Sequence, residues 1–594
     1  MKQITVSMTL VLGAVSATAA DFDLAGGQLS IKGSVTAGTA YRTDSQDTAL
    51  TPNVNSSQVG IVGTAITATA GRNQDDGNLN FSKGHPVSQV VNGYLSMEYR
   101  SGAYGGLFSA KAWYDYLLEK GDVPWGNSPN GYAPNAPLSD AGAQPRSKFS
   151  GVALDNLYVN GRNDVGGAPL EWKLGWQKLD WGNRYLVVGG LRDLNPIDIP
   201  ALTRPGMLQR DQETRIPVPQ IFARLGVAKS TSLEGFYQFH FERNAANQCG
   251  TFYSPTDWVA DGCNAVVFGN QTDRTAIATN NFIHRTDNVL PSNGGQFGLA
   301  LTQSVEQWAS KFGVYFTQFH SRAGYASFTT SGRATGAPPY VPGNADGLNP
   351  TYFLEWPDNI RMFGLTFETT FKGGTAFGEL TYRPNQPLQF NAADLLNAVV
   401  TTTGPTQLRD RANAVPPGGV LTGFERHKAV QLQLGGVGQL PGVLGAVGMN
   451  WGAEVVYKGI PDLPDPNVLR FGRSDIFGQG PVNGTCPPPG VPSQCTSDGY
   501  VSGSAWGFRT VLGLRYANVF DGVDLVPSML YGRDLHGWSG DGAILQGRNL
   551  GILSLRANFR GGFVTDIAWV PTWGGSYNNQ RDRSAATFYI GQRF

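Results

Sequence analysis

From residue 28 to residue 594 the chain breaks into eighteen runs of about ten residues in which apolar side chains recur at every second position. A period of two is the signature of a strand, whereas a helix repeats every 3.6 residues. The runs lie at 28–42, 90–100, 106–118, 152–161, 170–179, 219–228, 232–243, 295–304, 308–322 and 360–371, then at 375–384, 426–437, 448–458, 505–518, 523–534, 548–559, 563–572 and 585–594. What constrains the fold most is the linkers. Tight connections such as "SGAYG" (101–105), "KST" (229–231), "VEQ" (305–307) and "KGG" (372–374) alternate strictly with long ones, giving eight short and nine long. A soluble sandwich has no reason to sort its loops by end, but an outer-membrane barrel does, with short turns in the periplasm and long loops outside. The pattern predicts an all-β, transmembrane, up-and-down antiparallel β-barrel of about 18 strands, forming one domain over residues 21–594.

The faces of the runs agree. Phe108, Ala110, Ala112, Tyr114, Tyr116 and Leu118 share one side of a run, and Ser109, Lys111, Trp113 and Asp115 share the other. Leu233, Gly235, Tyr237, Phe239 and Phe241 likewise oppose Glu234, Gln238, His240 and Glu242. Lipid outside and water inside require such a division. After the N-terminus no uninterrupted apolar stretch is long enough for a membrane helix. Residues 1–20, "MKQITVSMTLVLGAVSATAA", combine Lys2, a short apolar segment and Ala17-Thr18-Ala19, which reads as a signal peptide for export. Lys+Arg and Asp+Glu are balanced at 45 each, so bulk charge indicates no nucleic-acid partner.

Chemistry-bearing motifs are sparse. Cys249 with Cys263 and Cys486 with Cys495 fall as two close pairs inside long loops, expected to be local disulfides in an exported chain. Six histidines show no ligand spacing and no nucleophile motif is present, so neither metal, cofactor nor catalysis is expected. His240 beside Glu242 is better read as lumen hydrogen bonding than as a base with its orienter. The inward runs carry Lys111, Asp115, Glu234, Glu242, Lys311, Glu368, Glu379, Arg383, Arg509 and Arg515. Acidic members dominate up to Glu379 and basic ones from Arg383, which would set either a transverse field across a pore or mutual salt bridges.

An open 18-stranded barrel would leak, so some loop is expected to fold inward. Two are apolar enough. Residues 180–218 contain "LRDLNPIDIPALTRPGM", with Leu191, Leu194, Ile197, Ile199 and Leu202. Residues 385–425 contain "QFNAADLLNAVV", where Asn391 caps a short helix presenting Leu395, Leu396 and Val399. These residues are expected to form a constriction or a surface for a greasy cargo, unless the loops simply pack together above the barrel. The chain closes on "ATFYIGQRF", whose terminal Phe594 is expected to end the closing strand and to be read by the barrel-assembly machinery.

"RNQDDGNLNFSKG" (72–84), "AKAWYDY", "LGWQKLDWG", "LNPIDIP", "LEGFYQFHFER", "TYRPNQPLQ" and "GGSYNNQRDRS" resemble, in order and over almost the whole mature chain, the DUF1302 family of Gram-negative outer-membrane proteins. The resemblance implies a barrel linked to hydrophobic compounds such as lipids, sterols or aromatics. It also implies company: a periplasmic DUF1329-type protein and an RND-family exporter. The combined expectation is a barrel in outer-membrane lipid that transports or hands over a hydrophobic or amphipathic small molecule. The alternative is a water-filled porin selective for small polar or charged solutes.

Overall fold

The computed structural model describes residues 20–65, 72–182, 186–208, 213–486 and 495–594. The expected signal peptide, apart from Ala20, lies outside them. A first strand, β1 (Gly27–Arg42), is followed by hairpins β2–β3 (Pro86–Ser101, Tyr104–Asp115), β4–β5 (Ser150–Val165, Ala168–Gln177), β6–β7 (Val218–Ala228, Thr231–Gln238) and β8–β9 (Gln296–Val305, Ser310–Phe319). Next come β10–β11 (Ile360–Phe371, Gly374–Gln389), β12–β13 (Phe424–Pro441, Gly448–Gly459), β14–β15 (Ser504–Phe520, Val523–His536) and β16–β17 (Arg548–Phe559, Phe563–Val570), before β18 (Ala585–Arg593). Every sequential neighbour pairs antiparallel, and β1 pairs with β18 from Ser34↔Arg593 to Arg42↔Ala585. The result is a closed 18-stranded barrel with no free edge, all short turns at one end and all long loops at the other.

The exterior is apolar around the circumference: Val35, Tyr114, Leu174, Leu233, Val314, Leu380, Val455, Leu553 and Phe588 are all exposed. In water each such side chain would forgo ~1.5–3 kcal/mol of burial, a cost that lipid removes. This is an outer-membrane-type barrel. Trp176, Tyr382, Tyr457, Trp506 and Trp569 also project outward, as an interfacial girdle requires.

At the seam, the Phe594 backbone exchanges two hydrogen bonds with Gly33, at 2.8 and 3.0 Å. Its ring covers Gly33 so closely that a Cβ there would lie 2.5 Å from the ring. The strand Ala20–Leu24 doubles back on β1 from Gly27 to Ile31, extending the seam beyond Phe594.

The long loops form a cap with its own five-stranded sheet, in the order Ala265–Val267, Phe282–Arg285, Thr351–Glu355, Tyr325–Thr329, Val420–Leu421. A helix, Ala392–Val400, packs on it, its first turn capped by the Asn391 side chain accepting from Asp394 N–H. Both cysteine pairs are disulfides within single loops, Cys249–Cys263 and Cys486–Cys495.

Two run ends differ from the sequence reading. Alternation continues through "YQFHFER", but β7 stops at Gln238, where its ladders with Gln220 and Gln296 end. Phe241 is therefore buried in the cap core rather than lipid-facing, and Glu242 sits in a loop, 3.8 Å from His240, rather than on the lumen wall. β3 stops at Asp115, because its carboxylate accepts from Leu118 N–H and caps the helix Tyr116–Lys120. Leu118 then packs against a loop cluster around Phe81, Phe149 and Phe252 instead of facing lipid.

Candidate functional site

The lumen is crossed by the loop between β5 and β6. Its neck is closed by Asn195, whose side chain accepts from Leu179 N–H and donates to Leu179 C=O, both at 2.8 Å. From the neck one arm reaches β11 to β13. Glu454 on β13 accepts from the Leu186 and Val187 amides at 2.7 and 3.2 Å, and Gln433 on β12 donates to Val187 C=O at 3.0 Å. Glu379 on β11 accepts from Leu191 N–H at 2.9 Å, and Arg383 donates to Gly190 C=O and to Asp193.

Contact this close requires glycine. Gly190 has φ +64°, a conformation costly for other residues, and a Cβ on it would overlap Glu379 Oε1; a Cβ on neighbouring Gly189 would overlap the Gln431 side chain. Leu191 and Leu194, both fully buried, plug into an apolar patch of the inner wall made by Phe236, Ala300, Phe319, Ile360 and Met362.

The other arm reaches the opposite wall. Asp198, fully buried, accepts from Lys111 Nζ of β3 at 2.7 Å and from Ala201 N–H, capping the short helix Ile199–Thr203. Arg204 stacks over Trp113 at 4.2 Å, and Asn92 of β2 donates to Pro205 C=O at 2.9 Å. One loop is thus bonded to strands β2–β3 and β11–β13, which lie about half a turn apart around the barrel, and so it bridges the channel.

On the short-turn side of this bridge lies a cavity of about 800 Å³. Arg162, Glu171, Lys311 and Glu368 ring its mouth near the turns, and Lys173, Arg224, Glu234 and Glu379 lie deeper. Between them stand inward aromatics: Phe222, Phe377, Tyr315 and Trp181. Trp181 meets Phe236 and Tyr315 edge-to-face at 5.2 and 5.1 Å and donates to Glu234 at 2.8 Å. The cavity offers aromatic faces beside charges of both signs.

A family model described as "Protein of unknown function (DUF1302)" matches residues 1–594. The chain belongs to this family. Comparison with curated proteins finds no match. Among solved structures, the DUF1302 chain is similar to OmpF of Salmonella typhi in complex with daunomycin (8% identity, 97% of this chain and 100% of that one, TM-score 0.36). It is similar also to OccAB3 of Acinetobacter baumannii (8%, 95% and 99%, TM-score 0.37) and to OccK9 (OpdG) of Pseudomonas aeruginosa (8%, 95% and 97%, TM-score 0.36).

In this DUF1302 barrel most expected lumen charges are engaged close to home. Lys111 holds Asp198, Arg383 holds Asp193, Arg509 holds Asp534 at 2.7 Å, and Arg515 holds Asp524 at 2.8 Å. Glu234 lies 3.6 Å from Arg224, and Lys311 stands opposite Glu368 in the β9–β10 ladder. Asp115 is consumed by hydrogen bonds from Ser88, Gln89 and Leu118.

The apolar residues divide as well. Leu395, Leu396 and Val399 are buried among Phe328, Tyr352 and Phe390 in the cap core, where they pack the loops together. Of the first loop, Ile197 and Ile199 are half-buried and Leu202 is exposed, as are Leu186 and Val188. No local pattern marks the partners of the bridge, Asp193, Asp198, Glu454 and Gln433; the paired glycines of "VVGGLRD" are the one sequence signal of the close contact.

Proposed function

We propose that the barrel passes or hands over an amphipathic small molecule, of lipid, sterol or aromatic type, across the outer membrane. The observation that carries this reading is the vestibule of about 800 Å³, where Phe222, Tyr315 and Trp181 stand between Arg224, Glu234, Lys311 and Glu368 beneath a bridged lumen. Rings suit an apolar body and the charges suit a polar end. The vestibule faces the short-turn, periplasmic end, where a DUF1329-type protein and an RND transporter would deliver or collect cargo. No chemical step is required of the barrel.

The test is current block in planar bilayers. Dodecanoate added on the short-turn side should block at far lower concentration than acetate. Phe222→Ala, which removes ~1.5–3 kcal/mol of apolar contact, should weaken that block at least about tenfold. Equal block by the two acids would refute the reading. It would favour a porin for small charged solutes, the reading supported by the paired charges at the vestibule mouth.

A further inference from the structure

Far from the vestibule, in the cap, four carboxylates are gathered out of water. Asp75 and Asp76 come from the loop after β1, and Asp257 and Asp273 from the loop after β7; all four are at most 2% exposed. One oxygen from each of Asp75, Asp76 and Asp273 lies within 4.8 Å of the others. Asp257 adjoins them, its Oδ2 accepting from Asp76 N–H at 3.3 Å. Neutral donors take part of their capacity: Asn55 reaches Asp273 at 2.8 Å and Asp75 at 3.3 Å, and Trp125 Nε1 donates to Asp76 Oδ1 at 2.7 Å.

What remains is conspicuously unspent. Asp76 Oδ2, Asp273 Oδ1, Asp257 Oδ1 and the amide oxygen of Asn78 are buried with no hydrogen-bond donor. Each such oxygen costs free energy where it stands, and an unpaired buried charge costs much more. Nearby cations do not balance the account. Arg72 approaches Asp273 only to 3.9 Å, while Arg42 and Arg583 are both engaged with Asp582, at 2.7 and 3.5 Å. Three guanidinium groups face these four acids, Asp582 and, beside Asp257, the buried Asp475, so negative charge is left over. Burial pushes all four acids upward, Asp273 to about 7 and Asp257 to about 8, and the neighbouring carboxylates add to the rise of Asp75, Asp76 and Asp257.

We propose that Asp75, Asp76 and Asp273, with Asp257 beside them, bind one divalent hard cation of the Ca²⁺ type that clasps the first and fourth long loops of the cap. The donor set is oxygen alone, without histidine or cysteine, which selects against zinc and copper. Mg²⁺ keeps much of its water and demands near-ideal octahedral geometry, whereas Ca²⁺ accepts several irregular carboxylates in a buried setting. A dication also offsets the leftover negative charge. The clasp is wider than its ligands, since Trp125, which bonds Asp76, belongs to the loop after β3.

The experiment uses the full-length barrel in detergent, stripped with EGTA and titrated with CaCl₂ and MgCl₂ by calorimetry, beside limited proteolysis of the loops. Wild type should bind one Ca²⁺ and gain protease resistance. Asp76→Asn and Asp273→Asn, which keep shape and remove charge, should each lose at least about tenfold in Ca²⁺ affinity and lose the Ca²⁺-dependent protection. Heat-modifiable migration confirms that the variant barrels are folded. Absence of Ca²⁺ binding by the wild type would overturn the proposal and leave the acids protonated, in which case the asparagine variants should be as resistant as wild type or more so. Variants that bind like wild type, or Mg²⁺ binding as tight as Ca²⁺, would overturn it equally.

Discussion

Replacing Gly190 by alanine should unlatch one arm of the lumen bridge. The left-handed φ of +64° costs an alanine ~1–2 kcal/mol. The new methyl also displaces Glu379, which loses its bond from Leu191 N–H, a charge-assisted bond worth ~1.5–3 kcal/mol. Together about 2.5–5 kcal/mol is withdrawn from this arm, which raises its detached population by about two to nearly four powers of ten. The other arm, held by Lys111–Asp198 and Arg204 on Trp113, is untouched, so the barrel itself should remain folded. Hydrogen exchange read by mass spectrometry on peptides covering 186–194, in nanodiscs, measures that population directly. Exchange there should accelerate by about 10²–10⁴, with peptides from β14 to β18 unchanged. Unchanged exchange in a heat-modifiable variant would refute the claim that this latch holds the loop.

Phe594→Ala and Gly33→Val attack the same contact from its two sides and should both reduce heat-modifiable protein in the outer membrane; normal levels for both would refute a role for the seam in assembly. Leu395→Ala should cost the cap about 2–5 kcal/mol, seen as faster loop proteolysis, yet leave dodecanoate block unchanged, because that side chain is enclosed by cap residues. Reversing Lys311 to Glu beside Glu368 should shift reversal potentials toward cation preference, and unaltered selectivity would show that the vestibule mouth does not sense ions.

The barrel was legible because each strand carries its own evidence: lipid on one face and lumen on the other impose a local period of two, and the loop lengths reveal the two ends. Asn391 was readable for the same reason, since a cap acts within three residues. Strand ends were not, because "YQFHFER" goes on alternating after its partner strands have run out, and only the ladder decides. Apolar character in a loop shows that something is covered but not by what: Leu191 went to the inner wall and Leu395 to the cap. Lys111 with Asp198, and Asp76 with Asp273, are brought together by loops that cross the mouth, a juxtaposition that no local pattern records.

The most direct test of the account is single-channel conductance of the wild-type barrel beside a variant in which residues 186–208, both arms together with the neck residue Asn195, are replaced by a short Gly-Ser linker. If this loop bridges the lumen, wild type should conduct weakly and the variant should show a large, steady conductance that dodecanoate no longer blocks. A large open conductance in the wild type, unchanged by removing the loop, would contradict it.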